Sequence, residues 1–242
     1  MIMNRRQWSI LSLSAILLWS CKEEVPQPKV IYGKSNEEVK VVKQDTASFP
    51  IADLPVQFEG TDVLLFPIGT LTYVKDKSNY GKYSSESGIN YTISNSDQFE
   101  IAGNMSNVKF QSATRDSLKV LTDKTLHIES LNYLNGIASR TKKQFLVYKI
   151  QDLDTNKDGK LNENDINSLY VSNLDGTGFQ KLSSDYHELI DWNCIDSKSR
   201  LYFRTVEDLN KNGAFDKADK VHYYFVDLAA KVLEPKEYYP LQ

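Results

Sequence analysis

Short apolar runs bounded by turn-forming residues dominate the chain from residue 51 onward. The run at residues 62–66 ends before Pro67 and Gly69, while residues 99–101 and 108–110 alternate strictly between apolar and polar positions. Runs of this length between Gly, Pro, Asn and Ser are typical of strands. One short helix is predicted at residues 130–139, although Gly136 weakens that prediction. The pattern predicts an all-β domain, with a sandwich, a barrel or a propeller as its possible forms.

Residues 141–242 contain a duplication in which position 154 of the first copy corresponds to position 208 of the second. Alternation at residues 201–206 and 221–226 predicts two strands. At the same offset Tyr148 aligns with Tyr202, and residues 169–174 align with residues 223–228. Each copy is therefore interpreted as strand, polar loop and strand, with at most one helical turn at residues 163–167.

A twelve-residue acidic loop lies between the two strands of each copy. Both loops have oxygen-bearing side chains at positions 1, 3, 5, 9 and 12, Gly at position 6 and an apolar residue at position 8. Calcium takes six to eight oxygen ligands at about 2.3–2.6 Å, and a backbone carbonyl at position 7 adds one of them. The sequence predicts two Ca2+ sites with these ligands: Asp154, Asn156, Asp158, Lys160, Asn162 and Asp165 in the first loop, and Asp208, Asn210, Asn212, Ala214, Asp216 and Asp219 in the second.

These loops resemble the EF-hand and dockerin type of calcium loop. Both depart from the EF-hand pattern at position 12, where Asp165 and Asp219 replace the bidentate Glu, and Asp at this position is more similar to dockerin. Because strands flank the loops, an ion would clip a long hairpin loop and would not open a groove as in sensor EF-hands. The alternative is an Asx-Gly hairpin turn that binds no ion.

Residues 169–182 carry a second resemblance. A strand, an Asn-Leu-Asp-Gly turn and a Lys-Leu strand are followed by Trp192 and a Ser-Lys-Ser-Arg turn, and together they are similar to TolB-like propeller blades over about a quarter of the chain. This resemblance implies an all-β, propeller-like or meander stack of antiparallel hairpins, partial, four-bladed or open, with the two calcium loops inserted between strands.

Residues 1–21 resemble the start of a bacterial lipoprotein. Arg5 and Arg6 precede an apolar run at residues 8–19, which is typical of a secretory signal peptide and too short for a stable membrane span. The sequence Leu-Trp-Ser-Cys that ends at Cys21 resembles the lipobox. The resemblance implies cleavage before Cys21 and lipidation of its thiol. The alternatives are a plain secreted protein and a single uncleaved anchor.

The chain is therefore divided into a lipoprotein signal peptide (1–20), a tether or linker (21–50) and a β domain (51–242). The tether contains three prolines and many charges. Residues 22–24, Lys-Glu-Glu, resemble the surface-export signal of lipoproteins in some Gram-negative bacteria. This resemblance implies a lipid-anchored protein on the outer membrane or cell surface, and a periplasm-facing position is the alternative.

The net charge and the numbers of cysteines and histidines exclude some classes of partner and site. The chain has 29 basic and 32 acidic residues, a net charge of −3 that becomes −5 without Arg5 and Arg6, so no nucleic-acid partner is expected. If Cys21 is lipidated, Cys194 has no partner and is expected to be a buried, unreactive thiol; otherwise a disulfide between them is possible. Three histidines exclude a His-rich metal cluster, and His222 is expected at the surface.

The sequence predicts no catalytic residues. It has no nucleophile elbow, P-loop, dinucleotide-binding turn or metalloprotease His pair. We expect a calcium-binding, membrane-anchored lipoprotein that acts as a binding or structural module of the cell envelope, with an envelope protein or a glycan as its partner. The alternative is a glycan-hydrolase-like envelope enzyme in which calcium is structural, which requires a cleft with two unassigned carboxylates. A subunit of an envelope complex is the third hypothesis.

Overall fold

The computed structural model describes residues 28–32, 48–72 and 92–242. This part contains one α-helix, α1 (Asn135–Thr141), a 3-10 turn at Asp196–Lys198, and antiparallel strands throughout. The strands are β1 (Ser48–Ala52), β2 (Val63–Thr72), β3 (Ser94–Asp97), β4 (Glu100–Ser112), β5 (Lys119–Val120), β6 (His127–Tyr133), β7 (Phe145–Gln151), β8 (Ser168–Asn173), β9 (Gln180–Lys181), β10 (His187–Ile195), β11 (Arg200–Glu207), β12 (Lys220–Asp227) and β13 (Pro235–Glu237).

The strands form two sheets. The first has nine strands in the order β1-β2-β4-β6-β7-β8-β9, with β3 and β5 also paired to β4, and the second has the order β10-β11-β12-β13. The predicted all-β class with antiparallel hairpins is confirmed. Among the described residues the sheets do not close into a propeller, because one wide sheet replaces a set of similar four-stranded blades.

Two hydrophobic cores lie on opposite faces of the first sheet, and β7 contributes to both. Leu146, Tyr148 and Ile150 point into the first core, and Phe145 and Val147 point into the second. A strand that is covered on both faces is apolar at successive positions. The second core also contains side chains of β10, β11 and β12, so it joins the two sheets.

The helix and the end of β2 differ from the sequence prediction. Residues 130–133 belong to β6, because Leu131 and Tyr133 are buried in the first core, and the helix begins only at Asn135. At Gly136 a Cβ would lie 1.8 Å from an Asp196 carboxylate oxygen, so glycine allows α1 to approach the 3-10 turn. Strand β2 continues past Pro67 to Thr72, and a register shift follows at Ile68 and Gly69.

The two copies of the duplication differ by one position in strand register. In the first copy Val147 pairs with Val171. The predicted alignment matches Val147 to Leu201 and Val171 to Phe225. In the second copy, however, Leu201 pairs with Val226, one residue further along β12. The alignment of residues 169–174 with 223–228 is therefore corrected by one position, although the loops themselves align as predicted. The second copy thus has one more residue between its loop and the paired position in β12. Since a shift of one residue exchanges the two faces of a strand, this additional residue places Val226 in the second core.

The N-terminal predictions fall largely outside the described part. The signal peptide, residues 1–20, and Cys21 lie outside it, and the tether is described only at residues 28–32 and 48–50. Strand β1 begins at Ser48, within the predicted tether. Within the described ranges, no helix is both long and apolar enough to cross a bilayer.

Candidate metal centres

The two acidic loops connect strands at equivalent places. Residues 154–165 join β7 to β8, and residues 208–219 join β11 to β12. The helical turn predicted at residues 163–167 is a hydrogen-bonded turn, in which the Asp165 N–H donates to the Asn162 carbonyl at 3.0 Å. In the second loop the Asp219 N–H donates to the Asp216 carbonyl at 3.2 Å. The two loops thus end in the same way.

The carboxylate at position 1 organises the first half of each loop. It accepts hydrogen bonds from the backbone N–H groups of positions 5 and 6, so the chain curls around its two oxygens. The distances are 3.1 and 2.9 Å from Asp158 and Gly159 to Asp154, and 3.2 and 2.7 Å from Asn212 and Gly213 to Asp208.

The carboxylate at position 12 closes each loop from its other end. Asp165 accepts from the N–H of Thr155 at 2.8 Å and from that of Asn162 at 3.0 Å. Asp219 accepts from the N–H groups of the same positions, Leu209 at 3.1 Å and Asp216 at 2.8 Å. The short Asp side chain is therefore long enough to bridge positions 2 and 9 of the loop.

The remaining candidate ligands also repeat their contacts. In both loops the side-chain oxygen at position 3 accepts a hydrogen bond from the backbone N–H of position 5. The side-chain oxygens at positions 5 and 9 accept in the same way from the backbone N–H groups of positions 7 and 11. In the first loop these acceptors are Asn156, Asp158 and Asn162, with Lys160 as the position-7 donor. In the second they are Asn210, Asn212 and Asp216, with Ala214 as that donor.

Backbone dihedral angles confirm that the two loops follow the same path. Lys157 and Lys211, both at position 4, have φ of 57° and 55°, and Gly159 and Gly213 have φ of 79° and 83°. Left-handed φ is costly for a residue with a Cβ, and Gly at position 6 avoids that cost. The loop pattern predicts the role of glycine, but it does not predict the left-handed lysine two positions before it.

The donor set fits a hard cation. Every candidate side-chain ligand is a carboxylate or amide oxygen, and each set of candidate ligands includes three carboxylates. Asp165 is fully buried, and burial raises the pKa of its carboxyl against the opposing effect of the N–H groups that it accepts from. Nearby Asp154 also raises that pKa by repulsion, so a cation in this loop would relieve both effects.

Residues 28–32 bridge the two loops, and we call them the bridging segment. The Val30 N–H donates to the Gly213 carbonyl at 3.2 Å, and the Ile31 N–H donates to the Thr155 carbonyl at 2.8 Å. Val30 is buried, and Tyr32 lies beside Asp208. Burial and that carboxylate raise the pKa of Tyr32 to about 12. Residue spacing alone does not predict this contact.

A second cluster of ligand-type side chains lies in the second sheet. One ligand atom from each of His187, Glu207 and His222 lies within 4.8 Å of the other two. The expectation of a surface His222 is wrong, because this residue is 7% exposed and its ring lies beside that of His187. His222, Tyr224 and Val226 share one phase of β12, and Val226 in the second core shows that this phase points inward.

Two further features bear on catalysis. A cleft of about 990 Å³ is lined by Lys119, Lys124, Lys181, Asp152 and Asp185 among others. Cys194 is half-buried, and burial together with the adjacent Asp196 carboxylate raises the pKa of its thiol to about 12. A thiol that keeps its proton is a poor nucleophile. The expected full burial of Cys194 is wrong, because its side chain is only half-buried.

Comparisons with known proteins give no family for this chain. No family model matches it, and no curated protein matches it. One solved structure that it matches is described as "putative TolB from Agrobacterium tumefaciens", with 11% identity and a TM-score of 0.21, over 78% of this chain and 81% of that chain. A similarity at this level carries no argument about function, so the function has to be inferred from the residues described above.

Proposed function

We propose that this protein is a calcium-binding, membrane-anchored lipoprotein that acts as a binding or structural module of the envelope of a Gram-negative bacterium. Its place would be the outer membrane or the cell surface. The observation that carries the calcium part is the shared hydrogen-bond network of the two loops, in which positions 1, 3, 5, 9 and 12 make matching contacts. The lipobox-like sequence at Cys21 supports the anchor.

Calcium in these loops would act on stability. The carboxylates at positions 1 and 12 hold the two ends of each loop, and a bound cation would offset their mutual repulsion. Binding to the folded state alone stabilises it by about 2.7 kcal/mol when free calcium is a hundredfold above Kd. The bridging segment contacts both loops, so calcium would also hold the start of the domain in place.

The outer face of the second sheet supports a binding role. Tyr202, Tyr223, Phe225 and Tyr238 form a set of edge-on and tilted ring contacts with centroid separations of 5.7 to 6.2 Å. Arg204 forms an ion pair with Asp191 on the neighbouring strand. Tyrosine, phenylalanine and arginine are enriched where proteins bind one another, so the composition of this face suits a binding role.

Thermal unfolding with calcium and with a chelator tests the calcium proposal. We expect the Tm to rise with calcium, and Asp154→Ala and Asp208→Ala each to reduce that rise, as measured by calorimetry. Asp123→Ala is the matched control, because Asp123 is exposed and lies outside both loops. An unchanged Tm together with no heat of calcium binding would contradict the proposal.

The anchor has its own test. Cys21→Ala should move the protein from the membrane fraction to the soluble fraction of the cells and abolish the incorporation of labelled fatty acid. A variant that still partitions with membranes and still incorporates label would show that Cys21 is not the site of lipidation.

A second candidate function, a glycan-hydrolase-like activity, is favoured by the cleft. Asp152 and Asp185 lie 2.8 and 2.6 Å from the Lys181 ammonium group, and the Tyr170 hydroxyl donates to Asp152 at 2.8 Å. Both carboxylates line the cleft and contact the same ammonium group, which places them near one another. Sugar release from envelope glycans that is lost in Asp152→Asn and kept in Asp123→Asn would favour this function over the first.

A further inference from the structure

Three neighbouring strands bring two histidines and a glutamate to one end of the second sheet. His187 on β10 pairs directly with Glu207 on β11, and His222 on β12 pairs with Thr205, two residues before Glu207. Paired side chains on adjacent strands have Cβ atoms about 4.5–5.5 Å apart. The three groups also share the inward face, since Thr205 and His222 are both buried.

The hydrogen bonds of His222 hold its ring in a defined orientation. Its Nδ1 lies 2.8 Å from a Glu237 oxygen, and its Nε2 lies 3.0 Å from a Glu207 oxygen. The Tyr239 hydroxyl in turn donates to the other oxygen of Glu237 at 3.1 Å. A histidine whose Nδ1 bonds a carboxylate presents Nε2 to a metal, and this second-shell arrangement is common in metal sites.

His187 is also positioned as a ligand. Its Nδ1 lies 3.3 Å from the Thr205 hydroxyl, and its ring centroid is 5.0 Å from that of His222. These contacts hold the His187 ring beside the two groups with which it would share an ion.

We propose that His187, His222 and Glu207 bind a divalent transition-metal ion, with Zn2+ as the matched ion, and that Glu237 is the positioning residue for His222. Two imidazoles and one carboxylate suit zinc, whereas calcium and magnesium prefer oxygen ligands alone. Zn–N and Zn–O bonds of about 2.0–2.2 Å place ligand atoms about 3.3–3.6 Å apart. The observed limit of 4.8 Å therefore requires only small side-chain movements. A fourth position remains for water or another ligand.

A cobalt titration tests this site separately from the acidic loops. The full chain, without a histidine tag and freed of metal by a chelator, is titrated with Co2+ in excess calcium, followed by Zn2+. We expect visible absorption bands of tetrahedral cobalt that saturate at one equivalent and are lost when zinc is added. Because cobalt bound only to carboxylates and water gives weak octahedral bands, the spectrum reports nitrogen ligands in a four-coordinate site.

Variants assign the ligands. His187→Gln and Glu207→Gln should each lower zinc affinity about 100-fold or more, and Glu237→Gln should lower it about 10- to 100-fold. His127→Gln is the matched control, since this third histidine bonds Gln151 and Asn104 on the other sheet. If His222→Gln fails to fold, the partly exposed His187 decides the outcome.

The possible outcomes separate this proposal from the calcium proposal. Zinc binding that survives in the Asp154→Ala and Asp208→Ala double variant supports an independent site. The proposal is overturned if the wild-type chain shows no cobalt bands and no heat of zinc binding at micromolar concentration. It is also overturned if His127→Gln weakens binding as much as His187→Gln does, because the ion would then lie elsewhere.

Discussion

The two acidic loops share one hydrogen-bond network but are buried at different positions. In the first loop, Thr155 and Asp165 are buried, so positions 2 and 12 are anchored. In the second loop Asp208 and Gly213 are buried, at positions 1 and 6, while Leu209 is exposed. The network is local and follows from residue type at each position, whereas the burial depends on what packs against the loop.

The neighbours of each loop explain the difference. The first loop leads into Asn167, whose backbone N–H and side-chain amide both donate to Glu188 on β10, so the two sheets hold its end. The second loop is covered by the bridging segment, with Val30 against Gly213. Local sequence thus sets the form of both loops, and tertiary contacts decide which part of each loop is buried.

The largest expected difference is at position 12. In chelator, Asp165→Ala should lower the free energy of unfolding by about 3 kcal/mol, and Asp219→Ala by about 1 kcal/mol. Asp165 is fully buried, so its removal leaves the buried Thr155 N–H without this partner, and the half-buried Asn162 N–H also loses its acceptor. Urea denaturation of the two variants measures the difference. Equal losses would show that burial does not distinguish the loops.

The glycines at position 6 are the next comparison. Alanine at either position acquires a left-handed φ, which costs about 1–2 kcal/mol. At Gly159 the added Cβ meets open space, but at Gly213 it would lie 2.1 Å from the Val30 carbonyl oxygen. Gly213→Ala should therefore cost about 1 kcal/mol more than Gly159→Ala and displace the bridging segment.

Limited proteolysis together with denaturation checks this result. Cleavage near Val30 should become faster in Gly213→Ala and stay unchanged in Gly159→Ala. Faster cleavage in both variants would mean that the segment responds to loop strain in general and not to the clash at Gly213.

The smallest difference is expected between two aligned tyrosines. The Tyr148 hydroxyl is fully buried and lies 2.7 Å from the Ser172 hydroxyl, whereas Tyr202 lies on the partly exposed outer face of the second sheet. Tyr148→Phe should cost about 1 kcal/mol, and Tyr202→Phe a few tenths at most. Thermal unfolding at neutral pH gives both values, and a larger loss in Tyr202→Phe would reverse the assignment of inner and outer faces.

The burial of Tyr148 also makes the stability of the fold depend on pH. Burial raises the pKa of Tyr148 above its ordinary value of 10. The folded state keeps the proton that the unfolded state releases, so this contribution to stability is present below pH 10 and is lost as the pH rises above it. The fall of stability above pH 10 should be shallower in Tyr148→Phe than in wild type. Equal slopes would contradict the burial of the phenol.

Local sequence patterns predicted the strands and the loops well. Alternation and turn residues fix most strands, and β7 was predictable as a buried strand because residues 145–148 are all apolar. The loop spacing predicts which oxygens each loop brings together, and the N–H groups that these oxygens accept from lie in the same loop. Where one short segment contains all the interacting groups, residue type and spacing are sufficient.

The rest depends on contacts that spacing does not encode. Both phases of β12 are apolar, so only pairing with β11 shows that His222 points inward beside Glu207. The additional residue after the second loop decides which side chains of β12 point inward. An alignment of the two copies at one constant offset does not show this residue. Val30 and Gly213 lie near opposite ends of the chain, and no local signal connects them.

The bridging segment has a mechanical consequence. Under the proposed anchoring, only residues 22–27 separate Cys21 from Pro28, so Cys21 would lie at most about 25 Å from the start of the bridging segment. Tension between membrane and domain would reach the fold at Val30 and Ile31, and it would load one hydrogen bond to each loop. The two loops would then share this tension, and calcium would set the force at which the bridging segment separates from them.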